Sequence, residues 1–112
     1  METFRTAYGA EPLFKGDRYF FEVQLLSGCN FKVGVSTSRE AKDSAFCDYP
    51  EGYGYYSAGF LRNGSKSAGL RYGESFKGAF KKDKIGVYLD LVEGRLFFSK
   101  NGHCFGTAFC GP

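Results

Sequence analysis

Short apolar segments that end at glycine-containing turns dominate the last third of the chain. Lys84–Leu91 and Arg95–Lys100 are two such segments, and Glu93-Gly94 lies between them. Asn101-Gly102 then precedes a third segment, His103–Phe109. Short apolar segments bounded by turn residues are typical of strands, and Asn-Gly is a strong signal for a tight hairpin turn. The sequence therefore predicts three consecutive antiparallel strands.

The first part of the chain contains segments of the same kind. Tyr19–Leu26 begins as an apolar run and then alternates, and Phe31–Ser36 alternates throughout. We expect the intervening Ser27–Asn30 to form a hairpin turn between them. A polar loop follows from Thr37 to about Glu51, with Phe46 as its main apolar anchor.

The middle of the chain combines tyrosine with glycine. Gly52–Ser57 is predicted to be an aromatic strand interrupted by glycine, which allows another backbone or a ligand to approach closely. Asn63-Gly64 predicts a hairpin that joins Gly59–Arg62 to Ser65–Leu70. No convincing helix is predicted. An all-β fold, an antiparallel β-sandwich, follows from these segments.

The composition agrees with one all-β domain over residues 1–112. The chain has 112 residues, which leaves no room for a second domain. Its 13 Phe and 8 Tyr make 19% of the residues, and it has 16 Gly. Aromatic residues favour strands and glycine favours tight turns.

Charge and cysteine usage indicate where such a chain works. The formal net charge is +3, and no apolar run approaches the length of a membrane span. We therefore expect no membrane partner. The four cysteines form no Cys-x-x-Cys pair and no signal-peptide core precedes them, which favours reduced thiols in a cytoplasmic or nuclear protein.

Five ordered motifs, which together run from Gly16 to Phe109, resemble those of SPRY domains. The family patterns "G-x-x-YFEV", "GVGVA", "YG-x-x-F", "GDVIGV-x-LDL" and "L-x-FSKNG … G-x-AF" are similar to Gly16–Val23, Val33–Ser36, Tyr72–Phe76, Asp83–Leu91 and Leu96–Phe109. The resemblance implies a SPRY/concanavalin-like antiparallel β-sandwich.

The sequence departs from the family pattern in two places. Family members carry tryptophan in a "SWGY"-like run, where this chain has Glu51–Tyr55. They also continue with two further strands, whereas this chain ends at Gly111-Pro112. We therefore expect a fold that is incomplete at its C-terminus, with an open sheet edge through which the chain forms a homo-oligomer.

The resemblance implies a non-catalytic module of the kind found in adaptors and scaffolds. Such a domain binds a short peptide or a protein surface through loops at one end of the sandwich. The matching positions in this sequence are Tyr8, Gly9, Glu11, Pro12, Asp48, Tyr49, Pro50, Tyr53, Tyr55 and Arg62. We expect Tyr49 and Tyr53 to be aromatic anchors, and Glu11 and Asp48 to complement a basic or amide-bearing peptide.

Other functions fit the sequence less well. His103 is the single histidine and follows a turn glycine, so no catalytic residue, cofactor or metal site is indicated. Seven basic and two acidic residues give the stretch from Arg62 to Lys84 a net charge of +5, and its aromatic residues leave single-stranded RNA as an alternative ligand. We favour a solvated surface over nucleic acid there. A lectin-like carbohydrate-binding domain is a further alternative.

Overall fold

The structure, a computed structural model, describes residues 16–37, 45–64 and 69–110, and seven β-strands form about half of them. The strands are β1 (Arg18–Gln24), β2 (Lys32–Ser36), β3 (Gly52–Tyr56), β4 (Phe60–Arg62), β5 (Lys84–Asp90), β6 (Arg95–Lys100) and β7 (His103–Cys110). A short 3₁₀ helix, Phe46–Asp48, precedes β3. None of the described segments is a helix long and apolar enough to cross a membrane.

One sheet contains the three strands predicted at the end of the chain. Its order is β1-β5-β6-β7, and every neighbouring pair is antiparallel. Asn101 and Gly102 have φ of 51° and 87° between β6 and β7, as the predicted tight turn requires. The predicted three-stranded meander is confirmed, and β1 and β7 lie at the two edges.

The second sheet has the order β2-β3-β4 and is also antiparallel. The predicted hairpin between the first two strands is therefore wrong, because β1 and β2 belong to different sheets. Their connection instead crosses between the sheets, where the Gly28 oxygen accepts hydrogen bonds from the backbone N–H groups of Gly78 and Ala79, at 2.9 Å each. Ser57 Oγ accepts a hydrogen bond from Phe31 N–H at 3.0 Å on the other side.

The chain does return antiparallel beside β4, but in a different register from the predicted Asn63-Gly64 hairpin. Leu61 N–H donates to the Leu70 oxygen at 2.8 Å, and Phe60 forms an antiparallel bridge with Arg71. A two-residue turn at Asn63-Gly64 would place residue 60 opposite residue 67, and it would need a positive φ at Asn63, which Asn63 does not have. Residues 65–68 of this hairpin lie outside the described residues.

The core lies between the two sheets and is largely aromatic. Tyr55 of β3 is 0% exposed, and its ring contacts those of Tyr72, Phe76, Phe98 and Phe105. Its hydroxyl donates to the backbone oxygen of Glu74 and accepts from Glu74 N–H. The aromatic residues of the sequence thus join the two sheets, which confirms the β-sandwich.

Asp90, at the end of β5, is the buried carboxylate of the β5–β6 turn. Its Oδ1 accepts from the N–H groups of Val92 and Glu93 at 2.9 and 3.0 Å, and its Oδ2 lies 3.1 Å from Arg18 Nε. The hydrogen bond from Glu93 N–H is the main cause that holds the pKa of Asp90 below its ordinary value of 3.8. Asp90 therefore fixes the turn in its charged form.

We expect Asp90 to make the domain sensitive to acid. Because its pKa is lower in the folded than in the unfolded chain, its contribution to stability is complete above pH 3.8 and is lost as the pH falls through the folded value. Urea unfolding at about pH 6 and about pH 3 measures this loss. Asp90→Asn should be less stable near neutrality and lose less stability on acidification, whereas Glu93→Gln, which keeps the backbone N–H, should match the parent. An unchanged pH dependence in Asp90→Asn would contradict this role.

Candidate functional site

The segment Phe46–Tyr53, called here the 46–53 loop, contains the 3₁₀ helix, the turn after it and the first two residues of β3. Its 3₁₀ helix lies on the outer face of the three-stranded sheet, where β3 has glycine in place of side chains. A Cβ on Gly52 would lie 2.2 Å from the Phe46 oxygen, and one on Gly54 would lie 2.8 Å from Cys47 Sγ. The glycines thus make room for another backbone, as the sequence predicts.

Cys47 anchors the loop together with the predicted Phe46, since the Phe46 ring and the Cys47 side chain both lie against Gly54. Cys47 is fully buried, whereas Phe46 is half-buried. Burial raises the pKa of the Cys47 thiol to about 11, so the thiol stays protonated at neutral pH. We assign Cys47 a packing role.

A pair of ionic contacts fixes the same loop to the sheet. Asp48 Oδ1 lies 3.1 Å from Lys32 Nζ of β2 and 3.3 Å from Arg62 Nη2 of β4. The Lys32 side chain is only 8% exposed, and its Nζ also lies 5.2 Å from the centre of the Tyr56 ring. One carboxylate therefore joins the loop to both edge strands of this sheet.

Backbone groups of the loop are also held in place. Asn63 Nδ2 donates to the oxygens of Pro50 and Gly52, at 3.0 and 2.7 Å. The Glu51 oxygen accepts from Thr37 N–H at 2.9 Å. The loop is consequently preformed, and no large rearrangement is needed for its side chains to meet a ligand.

The tip of the loop presents apolar surface beside two unpaired polar atoms. Pro50 is exposed and Tyr49 is half-buried. Glu51 Oε2 and Arg62 Nε are buried, and neither has a hydrogen-bond partner among the residues that the structure describes. Such atoms are costly to leave unpaired.

The structure brings some of the predicted site residues together and separates others. Asp48, Tyr49, Pro50 and Arg62 lie together in and beside the loop. Tyr53 is half-buried, with its ring edge-on to Phe109 at 5.2 Å. Tyr55 is fully buried in the core, so its ring has no surface to offer a ligand. The predicted Tyr8, Gly9, Glu11 and Pro12 lie outside the described residues.

Two residues of this site were missed in the sequence. Lys32 lies on the outer face of β2, as the alternation of Phe31–Ser36 allows, but nothing local shows that it pairs with Asp48. Glu51 precedes a glycine and is typical of a turn, and its buried oxygen results from packing. The glycines at positions 34, 52 and 54 are the signal that another segment covers this face.

The basic stretch from Arg62 to Lys84 is divided between two parts of the molecule. Arg62 pairs with Asp48, and Arg71 lies over the Phe60 ring at 5.4 Å, both on the three-stranded sheet. Lys77, Lys81 and Lys82 lie in the loop before β5, next to the Gly28 connection, and Lys84 begins β5. The described residues of the stretch, which leave out Lys66, therefore do not form one continuous basic strip.

Comparison with known proteins gives concordant results. The sequence model of the SPRY domain matches residues 18–112 of this chain. The structure is similar to a crystal structure of a human SPRY domain, with a TM-score of 0.64 and 24% identity, covering 82% of this chain and 61% of that one.

Two curated relatives are much longer proteins. The ATP-dependent RNA helicase Ddx1 of Drosophila melanogaster is 33% identical over 95 residues, which are 85% of this chain and 12% of that protein. The dual specificity protein kinase splA of Dictyostelium discoideum is 39% identical over 62 residues, 54% of this chain and 3% of that protein. The chain therefore spans only a small part of the length of either relative.

Proposed function

Because this chain belongs to the SPRY domain family, whose members are generally protein–protein interaction modules, we propose that it binds a short peptide segment of a partner protein on the 46–53 loop. The observation that carries this proposal is the exposed Pro50 beside the half-buried Tyr49, on a loop that Asp48 and Asn63 already hold in place.

The preformed loop favours binding by a short ligand. Association costs free energy wherever side chains and loops must be ordered. Here Asp48 and Asn63 already hold the loop in the ligand-free protein. More of the contact energy from Tyr49 and Pro50 is therefore available for affinity.

Shape and hydrogen bonding, rather than charge, are proposed to select the peptide. Asp48 is engaged by Lys32 and Arg62, so it positions the loop instead of attracting a basic partner. Two basic and two acidic side chains, those of Lys32, Arg62, Asp48 and Glu51, balance one another at the site. We expect peptide affinity to depend little on salt, whereas RNA binding falls steeply as salt rises.

A random peptide display library tests the proposal. Peptides selected on the parent chain should bind Tyr49→Ala about thirtyfold more weakly, because rigid aromatic residues dominate such contacts. Phe80→Ala removes a fully exposed aromatic residue outside the loop and should bind like the parent. Thermal unfolding of both variants verifies that they are folded.

Two results would contradict this function. One is selected peptides that bind Tyr49→Ala and the parent equally. The other is a library that yields no peptide, together with tight and salt-sensitive binding of a single-stranded RNA oligonucleotide.

A further inference from the structure

The loop before β5 carries a second surface, separate from the 46–53 loop. We propose that Lys77–Lys84, called here the lysine loop, docks onto an anionic phospholipid membrane, with Phe80 entering the lipid interface. The sequence-based expectation of no membrane partner rested on the absence of a spanning segment. A surface that lies on the membrane needs no such segment.

The backbone of the lysine loop keeps the Phe80 side chain exposed to solvent. The residue is 100% exposed, and its φ of 65° is a left-handed conformation that non-glycine residues adopt at a cost. Lys82 N–H donates to the Gly78 oxygen at 2.9 Å, and Asp83 N–H donates to the Lys77 oxygen at 3.1 Å. The loop is therefore ordered around a ring that finds no cover in the described part of the protein.

Positive charge surrounds this ring. Lys77, Lys81, Lys82 and Lys84 lie in the lysine loop, and three of them are exposed. The acidic group among them, Asp83, is 4% exposed, and its two oxygens accept from Lys77 N–H and Asn101 Nδ2. Each lysine near an anionic membrane strengthens binding about fivefold.

A cleft of about 390 Å³ with both polar and apolar walls adjoins the loop. Its lining includes Lys77, Lys81, Ser75 and Phe76, the carboxylate of Asp83, and Lys100, whose Nζ lies 3.0 Å from Glu74 Oε1. Ammonium and hydroxyl groups are suitable donors to phosphate oxygens. The cleft is placed to receive the phosphate of a lipid headgroup beside the inserted ring.

A second apolar side chain lies on a segment fixed to the lysine loop. Leu26 is 67% exposed at the end of β1. The connection that follows it is hydrogen-bonded to the lysine loop, because Gly78 and Ala79 donate to the Gly28 oxygen. Exposed Phe and Leu with lysines around them are typical of surfaces that lie in the membrane interface.

The same observations favour a membrane over single-stranded nucleic acid. Nucleic-acid grooves combine positive charge with several stacking rings. The basic stretch contains Tyr72, Phe76 and Phe80, and the first two are buried in the core. Phe80 alone remains for stacking, and the aliphatic Leu26 cannot stack on a base.

Vesicle flotation with the whole chain tests the proposal. We expect binding to phosphatidylcholine vesicles that contain phosphatidylserine, and none to phosphatidylcholine alone. Phe80→Ala should weaken it about tenfold, since the ring loses its burial in lipid. The double variant Lys81→Glu, Lys82→Glu should weaken it at least about a hundredfold. Tyr49→Ala, on the separate peptide surface, should bind vesicles like the parent.

Insertion of residue 80 is measured directly with Phe80→Trp. The chain contains no tryptophan, so this variant has a single indole reporter. Its emission should shift to shorter wavelength on anionic vesicles and be quenched by lipids with brominated acyl chains. Circular dichroism confirms that each variant is folded.

Three outcomes would overturn the proposal. Vesicle binding that Phe80→Ala leaves unchanged would mean that charge alone attracts the surface. Binding of soluble glycerophosphoserine in the cleft, without any binding of vesicles, would identify a site for a free phosphate compound. Binding of a single-stranded RNA oligonucleotide but not of anionic vesicles would assign the surface to nucleic acid.

Discussion

Gly34→Ala is expected to lower the free energy of unfolding by about 3 kcal/mol or more, which is a large part of the stability of a small domain. Gly34 lies in the centre of β2, opposite Gly54. A Cβ there would lie 1.9 Å from the Tyr53 oxygen and 2.9 Å from the Gly54 Cα. Both are backbone atoms, so neither can rotate away, and β2 must move off β3.

A control variant at a second glycine distinguishes the effect of this clash from the cost of a left-handed backbone conformation. Gly102 has a φ of 87°, and a Cβ on it would meet nothing within 4 Å. Gly102→Ala should therefore cost only about 1 kcal/mol, from the left-handed conformation alone. Urea unfolding followed by circular dichroism compares the two. Equal losses in both variants would show that the glycine face of β2 is not needed for the close approach of β3.

Asp48→Ala is the second large expected change. Removing the carboxylate leaves the nearly buried Lys32 ammonium and the Arg62 guanidinium without their shared acceptor. Removing one partner of a buried ion pair is strongly destabilising. For the partly exposed Asp48 we expect the free energy of unfolding to fall by about 2 kcal/mol. The 46–53 loop also loses its link to β2 and β4, so peptide affinity should fall at least about tenfold.

A double-mutant cycle tests whether loss of the Asp48–Lys32 ion pair causes this loss of stability. Adding Lys32→Met to Asp48→Ala removes the charge that Asp48 had balanced and should recover part of the stability, but not the peptide affinity. Glu93→Ala breaks an exposed pair with Arg95, whose atoms are 3.6 Å apart, and should cost at most about 0.5 kcal/mol. If Asp48→Ala is as mild as Glu93→Ala, the ion pairs do not hold the loop.

Local signals account for the strands that the sequence predicted correctly. The β5–β6–β7 meander depends on short apolar segments and on the glycine-containing turns between them, and both are visible within a few positions. The link between β1 and β2 looked like one more turn of this kind, but its sequence is equally suited to crossing between sheets. The true partner of β1 is β5, and pairing at such a separation leaves no local mark.

In the candidate site, too, the residues with local sequence signals were predicted and the long-range contacts were not. Asp48, Tyr49 and Pro50 were found because loop aromatic residues and the family resemblance pointed to them. That Lys32 and Arg62, 16 and 14 positions away, share one Asp48 oxygen depends on the packed sheet. Alternation placed Tyr53 and Tyr55 on one face of β3 but did not show which face the other sheet covers.

The pairing of β1 with β5 also determines the order in which this chain can fold during its synthesis. Arg18 at the start of β1 contacts Asp90, 72 positions later. Until that residue has left the ribosome, the Tyr19-Phe20-Phe21 segment has no strand to pair with, whereas β5, β6 and β7 form local hairpins as they emerge. The first strand to be made therefore waits longest for its partner, and it is the segment in most need of protection from aggregation in the nascent chain.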